Sequence, residues 1–413
     1  MFDLEEIDNM NPSVKKAYFK ILLIIIPFIN IYFQDVYFIS LVYLLFSCVF
    51  ITGKIIKQSN TDTYLLFFIL LISTIMTLFD FSHLSLYGMF RGIQILGVPI
   101  IILYVGAYIE KYILSMKDIL QVIGIFGLLY GIIWCVTVLS RVSFSFSYLR
   151  ATRANSQMIF VAIIFIIAVI MKDEIFSEVV DKLILGLSLF VALVGFSRTN
   201  YILFLFPFVV IGMMRIRKKK YFIFTIFCAI SFVAVLIFLF IYYKNHTETV
   251  MGMFINRMAM SLVEINSRTS FISIEEINSN WRAYEVFQAK KQFEQAGFIQ
   301  QILGQGYKGV YVGTYASYVG VKGDYLPLLH NGYYSVLTYS GIVGLLLLIV
   351  FFVKKIYLFL KNEKDTYAII YVTFVLAYVF ITNTTMGIIT PNAMFLPILL
   401  IGYLSSRMKK LKG

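Results

Sequence analysis

The chain has 413 residues, of which 60% are hydrophobic and 17% aromatic, whereas only 14% are charged. A soluble globular domain is roughly 45–50% apolar and about 25% charged, so the composition excludes that class and indicates a polytopic membrane protein. The net charge of +13 is dispersed over short loops, which argues against nucleic-acid binding.

Twelve apolar runs approach the roughly 20 residues that a membrane-spanning helix needs. The runs are continuous, which excludes a membrane barrel with its alternating segments. We expect the first run to serve as its own signal, because no cleavage pattern follows the polar start. The predicted fold is an all-α polytopic membrane protein with about 12 transmembrane helices, centred on 18–33, 36–52, 64–81, 93–109, 118–139, 157–171, 182–196, 200–214, 221–243, 333–353, 366–383 and 390–406.

Basic residues predict the orientation of these spans. With the N-terminus in the cytoplasm, most basic loops fall on the cytoplasmic side, as membrane proteins prefer. The even number of spans returns the basic C-terminus to the same side, so both termini are predicted to be cytoplasmic. The residues concerned are Lys15, Lys16, Lys20, Lys54, Lys57, Lys111, Lys117, 215–220, Lys354, Lys355 and 409–412.

A long segment, 244–332, interrupts the spans and is predicted to lie outside the cytoplasm. It divides the chain into a membrane domain of about nine spans (1–243), this loop, and a membrane domain of about three spans (333–413). The loop is expected to be partly helical. A polar start and a glycine stop predict a helix over 279–297, and 251–265 is a second amphipathic candidate. GQGYKGVY, 304–311, is predicted to be a turn.

Arginine is the main basic residue at the outer ends of the spans. Its planar guanidinium forms two parallel hydrogen bonds to a phosphate, so a cluster of arginines there indicates an anionic ligand. The alternative for each is snorkelling to lipid headgroups. The outer arginines include Arg91, Arg141, Arg150, Arg153, Arg198, Arg257, Arg268 and Arg282.

Arg198 and Arg282 are the strongest of these candidates. Arg198 lies in a connection of about three residues between two spans, where an ionisable group is costly and function is the first hypothesis. A helix cap or a headgroup contact is its alternative. Arg282 opens the predicted outer helix, and its alternative is a surface ion pair with Glu276 or Glu285.

His330 and Asn331 directly precede the span at 333–353. Histidine accepts a proton near neutral pH, so His330 is the candidate general base, and Asn331 could orient its ring or a sugar hydroxyl. The alternative is an interfacial histidine that satisfies a backbone group. Gly341 and Gly344, one turn apart, predict a face that another helix or a lipid chain approaches closely.

No metal or cofactor is predicted. The sequence has no Asp-x-Asp or HExxH motif and no recognisable Ser-His-Asp pattern, so arginines would have to neutralise any bound diphosphate. The glycines of GQG are too weak a pattern for a phosphate loop on their own. Cys48, Cys135 and Cys228 all fall in apolar runs, which indicates neither disulfides nor a metal site.

Three patterns in this order resemble the superfamily of O-antigen ligases and polysaccharide polymerases: GFSRTNYI, NWRAYEVFQAKKQFEQAGFIQQILGQGYKGVY and HNGYYSVLTYSGIVGLL. The resemblance covers roughly 185–350 and the overall topology. The chain departs from the ligase pattern in two respects. The polar residue Asn331 directly follows the histidine, whereas the ligase pattern has it two positions after the histidine. The proline that usually precedes the Gly-x-Gly is also missing. Both departures lean toward a polymerase.

The resemblance implies a GT-C-like glycosyltransferase of the bacterial cytoplasmic membrane. It would polymerise undecaprenyl-diphosphate-linked repeat units into O-antigen, capsular or exopolysaccharide at the outer face, with inversion and without a metal. His330, Arg198 and Arg282 would be catalytic. Flippase and chain-length regulator proteins are the implied partners beside membrane lipid. The implied substrate-binding residues are Asn331, Arg150, Arg153, Tyr307, Gly304 and Gly306.

Three other functions remain open from the sequence. A ligase would move the finished glycan to a lipid A core or another acceptor. A saccharide flippase would put polar residues in mid-membrane and show two similar halves, neither of which the sequence favours. In a structural scaffold, the positions of the outer arginines would be accidental and have no functional meaning.

Overall fold

A computed structural model of the chain describes residues 11–32, 62–79, 86–140, 156–194, 197–214, 280–318, 324–360, 366–384 and 395–410, and scattered positions between 223 and 277. Within these ranges the protein is mostly helical. The elements are α1 (Pro12–Tyr32), α2 (Thr63–Phe79), α3 (Leu86–Tyr112), α4 (Met116–Leu139), α5 (Ser156–Met171), α6 (Glu178–Val194), α7 (Arg198–Met214), α8 (Trp281–Gln295), α9 (Phe298–Leu303), β1 (Val310–Tyr311), α10 (Tyr315–Tyr318), β2 (Tyr325–Leu326), α11 (Gly332–Leu360), α12 (Thr366–Thr384) and α13 (Phe395–Lys410).

Ten of the twelve predicted spans coincide with helices α1 to α7 and α11 to α13. The other two, 36–52 and 221–243, lie outside the described residues apart from isolated helical positions. Among the described helices, α3, α4, α11 and α12 are long and apolar enough to cross a membrane, and α2, α5, α7 and α13 are shorter apolar helices. A helical, membrane-embedded protein is supported, while the number of twelve spans stays a prediction.

Helices α3 and α13 cross with their backbones in contact. A Cβ atom on Gly106 would lie 2.1 Å from the carbonyl oxygen of Leu399, and one on Gly402 would lie 2.3 Å from that of Leu103. Small residues allow this approach, which matters in a membrane because no hydrophobic effect drives helices together there. The sequence analysis did not single out either glycine.

Basic residues collect at one end of the bundle. Lys16 and Lys20 of α1 each place Nζ 2.7 Å from a carboxylate oxygen of Asp118. Asp118 belongs to a capping box with Ser115 at the start of α4. This is the end predicted to face the cytoplasm, and its orientation in a membrane stays a prediction.

Lys355, one of the basic residues that predict the cytoplasmic side, is buried at this end. Its Nζ donates to Ser405 Oγ at 2.9 Å and lies 3.5 Å from Asp62 Oδ2. A buried lysine needs such a counterion, since an isolated charge in a low-dielectric interior is very costly. These contacts arise from tertiary packing, because Asp62 and Ser405 are far from Lys355 in the sequence.

The outer segment, 280–331, packs on the opposite end. Lys355 reaches Asp62 at the start of α2, whereas Tyr307 reaches Thr77 near its end, about 22 Å further along at 1.5 Å per residue. Two short antiparallel strands pair Val310 with Leu326. This hairpin is a small departure from the predicted all-α fold.

The helix predicted over 279–297 is confirmed as α8, with two corrections beside it. Gly297 does not stop α8, which ends at Gln295, but directly precedes α9. The predicted turn at 304–311 consists of a 3-10 turn, Gly306–Lys308, followed by strand β1. The second predicted helix, 251–265, lies outside the described residues except for two helical positions.

Candidate functional site

His330 and Glu285 form a pair at the outer end of the bundle. The Nδ1 atom of His330 lies 3.3 Å from both carboxylate oxygens of Glu285, and the backbone N–H of His330 donates to Oε2 at 2.8 Å. The Glu285 side chain is 3% exposed, whereas that of His330 is 41% exposed. A carboxylate beside Nδ1 favours the tautomer with hydrogen there, which leaves Nε2 as the basic nitrogen.

Helix α8 carries this carboxylate together with two other residues of the site. Trp281 and Glu285 are four residues apart and so share one helix face. The Trp281 ring stands edge-on to the His330 ring, with centroids 3.9 Å apart and planes at 86°. Arg282 places its Cζ 5.2 Å from the Trp281 ring centre. The predicted surface ion pair between Arg282 and Glu285 is wrong in one respect, because Glu285 is buried.

Two tyrosines lie near Glu285. Burial and the negative charge of Glu285 raise the pKa of Tyr315 to about 12, with a smaller contribution from Tyr284. The rings of Tyr284 and Tyr315 are 5.2 Å apart and nearly perpendicular. An apolar surround strengthens the attraction between Glu285 and a protonated His330. No sequence pattern marks Tyr315, and the sequence suggests Glu285 only as a surface partner of Arg282.

Asn331 connects the site to two membrane helices. Its side-chain nitrogen donates to the carbonyl oxygen and Oδ1 of Asn383, at 2.8 and 3.2 Å, and its Oδ1 accepts from the Tyr334 N–H at 3.2 Å. The residue therefore caps α11 and holds it to the end of α12. Its predicted role in binding substrate stays a prediction, and the cap holds the adjacent His330 in place.

The Gly-x-Gly segment that begins at Gly304 packs against helix α11 at Gly341. Gly341 has φ of +63° and kinks α11, and a Cβ atom there would lie 2.3 Å from the Ile302 carbonyl oxygen. Gly304, with φ of +85°, touches the backbone of α11 equally closely. The Gln305 N–H donates to the Thr338 carbonyl oxygen at 2.7 Å, which pairs a carbonyl group beside the kink. The close neighbour predicted for the Gly341 face is thus the end of α9.

Tyr307 anchors the outer segment in the bundle. It is 1% exposed, its N–H donates to Thr77 Oγ1 at 2.8 Å, and its ring occupies the space above Gly92. Gly306, with φ of +66°, lets this backbone approach α2. The structure therefore gives Tyr307, Gly304 and Gly306 packing partners, and their predicted contact with substrate stays a prediction.

Two observations determine which ends of α5 and α12 lie together. Phe160 stacks on Tyr378 with centroids 5.6 Å apart, while Ala168 and Thr366 line one small cleft. The two helices are therefore antiparallel. The start of α5 lies beside the end of α12, where Asn383 holds the site.

Arg198, the first residue of α7, lies at this same end. A short connection after α5 reverses the chain into α6, whose last turn then contacts the first turn of α7. Asn200 Nδ2 donates to the Ala192 carbonyl oxygen and the Tyr201 hydroxyl to that of Leu193, both at 2.9 Å. Arg150 and Arg153 lie outside the described residues, so their predicted roles stay predictions.

Within the described ranges, no third His, Cys, Asp or Glu joins His330 and Glu285 to make a group that could hold a metal ion. What the pair offers is acid–base chemistry: a half-exposed imidazole oriented by a buried carboxylate. Metal-independent transfer stays a prediction.

Comparison with known proteins adds no relative: no family model matches the chain, and no curated protein matches it either.

Proposed function

We propose that this protein polymerises lipid-linked oligosaccharide repeat units at the outer face of a bacterial cytoplasmic membrane, with both termini in the cytoplasm. The donor is a growing glycan on undecaprenyl diphosphate, and the acceptor is the next lipid-linked repeat unit. The observation that supports this best is the pairing of His330, just before helix α11, with the buried Glu285 of α8. A lipid anchor in the bilayer would meet a sugar outside it at this position.

The proposed reaction is a single displacement. A hydroxyl of the acceptor sugar approaches Nε2 of His330 and attacks the anomeric carbon of the donor from the side opposite the diphosphate. A new C–O bond forms, the bond to the diphosphate breaks, and the leaving group departs with the electron pair. The hydroxyl proton passes to Nε2, and the buried carboxylate of Glu285 stabilises the resulting imidazolium. The anomeric configuration inverts.

Arginines would stabilise the departing diphosphate. Arg282 follows Trp281 on α8 and places its Cζ 5.2 Å from the centre of the Trp281 ring, which in turn contacts the His330 ring. This proximity supports the proposed role of Arg282. Arg198 begins α7 at the same end of the bundle. Fixed cations that face the charge developing in the transition state are a major source of rate enhancement. The bidentate geometry of arginine suits two linked phosphates.

A reconstituted assay tests this function. The purified protein in liposomes receives undecaprenyl-diphosphate-linked repeat units as the only substrate, and glycan length is followed by electrophoresis. We expect lipid-linked glycans of several repeats, which form with EDTA present. A second reaction also contains a lipid A core or protein acceptor. No polymer in the first reaction, with transfer of the glycan to the acceptor in the second, would indicate a ligase and contradict the proposal.

A further inference from the structure

Two buried amide side chains lack hydrogen-bond partners that their chemistry requires. Gln157 is 1% exposed, and neither its Nε2 nor its Oε1 is bonded within the described part of the chain. Asn200 is fully buried, and its Oδ1 is unpartnered there, although its Nδ2 donates to Ala192. Burying such groups without partners is destabilising, and a membrane-embedded bundle offers little water to replace them. A partner from outside the chain would account for them.

Both amides lie where two neighbouring helices begin. Gln157 is the second residue of α5 and Asn200 the third of α7, and these helices pack against each other. The start of α5 lies beside the end of α12, and α7 begins at the same end of the bundle. Arg198, proposed to hold the diphosphate, lies two residues before Asn200.

The missing bonds identify the chemistry of a partner. Gln157 lacks an acceptor for its N–H2 group and a donor for its Oε1, and Asn200 lacks a donor for its Oδ1. A diphosphate accepts hydrogen bonds and donates none, so it would leave both carbonyl oxygens unsatisfied. A sugar hydroxyl donates and accepts. Sugar hydroxyls therefore match the chemistry of all these positions.

We infer that Gln157 and Asn200 bind the sugar next to the diphosphate of the lipid-linked saccharide. This inference rests on the proposed function, since it takes the lipid-linked saccharide as the ligand. It assigns the arginines to the diphosphate and the amides to the first sugar. The site thereby distinguishes a loaded lipid carrier from an empty one.

A binding measurement tests the inference without requiring turnover. Purified protein in nanodiscs is titrated with two probes: undecaprenyl diphosphate without sugar, and undecaprenyl-diphosphate-linked saccharides extracted from the bacterial host. Gln157→Met is the variant, because methionine has a similar volume and Gln157 has no hydrogen bond to lose. Gln121→Met is the matched control, since Gln121 donates to Ile175 at the opposite end.

We expect the wild type to bind the saccharide more tightly than the empty carrier. Gln157→Met should lose about tenfold in affinity for the saccharide and keep its affinity for the empty carrier. Its thermal midpoint without ligand should be unchanged or higher, and Gln121→Met should bind both probes normally.

Three results would overturn the inference. The first is that the wild type binds both probes with equal affinity. The second is normal saccharide binding by Gln157→Met, as expected if water alone fills the site. The third is that Gln157→Met loses the same affinity for both probes. A wild-type chain that binds the saccharide selectively but makes no polymer would contradict the proposed function and leave this site standing.

Discussion

The carboxylate of Glu285 lies 3.3 Å from the imidazole Nδ1 of His330, although 45 residues separate the two in the chain. The carboxylate is buried and the imidazole is half exposed. An acid–base group needs this arrangement, because one ring nitrogen is held while the other remains available to a substrate.

Replacing Glu285 with Gln should lower the turnover number of the reconstituted enzyme by roughly 10²-fold. Glutamine keeps the size of the side chain but removes the charge that stabilises protonated His330. The KM should change little, because Glu285 positions His330 and does not contact substrate. Glu294→Gln, on an exposed part of the same helix, is the control. A fall caused by KM alone would give Glu285 a different role.

Replacing His330 with Ala should leave the protein folded and inserted, since a half-exposed side chain contributes little burial energy. It should reduce polymerisation by roughly 10²–10⁴-fold, the usual cost of losing a general base. Cells should then display single repeat units in place of long chains, measured as a glycan ladder at equal protein level. His83→Ala and His246→Ala are the controls. An equal loss in all three variants would reject His330 as the base.

Replacing Arg198 or Arg282 with Lys should remove most activity, because lysine keeps the charge but cannot form the two parallel hydrogen bonds to a diphosphate. The measurement is chain length on the glycan ladder. Arg407→Lys is a matched control, since Arg407 contacts Tyr367 at the opposite end of the bundle. Near-normal chain length in both site variants would make these arginines lipid headgroup contacts.

Replacing Gly341 with Ala should destabilise the protein by about 1–3 kcal/mol, because a side chain at positive φ is strained and its Cβ would meet the Ile302 carbonyl oxygen. Thermal unfolding and limited proteolysis of the outer segment would measure the effect. Gly97→Ala is the control, since no atom lies within 4 Å of a Cβ there. Equal behaviour of the two variants would show that the kink does not hold the outer segment.

Replacing Lys355 with Met should cost about 3–5 kcal/mol, because it removes the buried cation that lies 3.5 Å from the Asp62 carboxylate. The double change Lys355→Met with Asp62→Asn should recover part of this loss, which thermal unfolding in detergent would detect. Lys354→Met should have little effect, because Lys354 is partly exposed. A double variant less stable than the single one would reject the buried pair.

Most helices were predictable from the sequence. Continuous apolar runs are local features, and a chain in a membrane must satisfy its backbone hydrogen bonds within each span, so ten predicted spans coincide with helices. The outer helix α8 was predictable for a similar reason, since its start and its apolar spacing lie within one short stretch. The sequence also indicated which kinds of residue form the candidate site. These are a histidine, which is rare in this chain, and arginines at the outer ends of the spans, where the preference of basic residues for the cytoplasmic side does not explain them.

Tertiary structure alone decided what those residues contact. The sequence suggested Glu285 as a surface partner of Arg282, but folding buries it against His330. It presented Lys355 as a topology signal, and packing of α2 and α13 gave it buried partners. It left the neighbour of Gly341 open, which proved to be the turn after Ile302. These contacts join residues that are distant in the chain, so neither local pattern nor hydropathy predicts them.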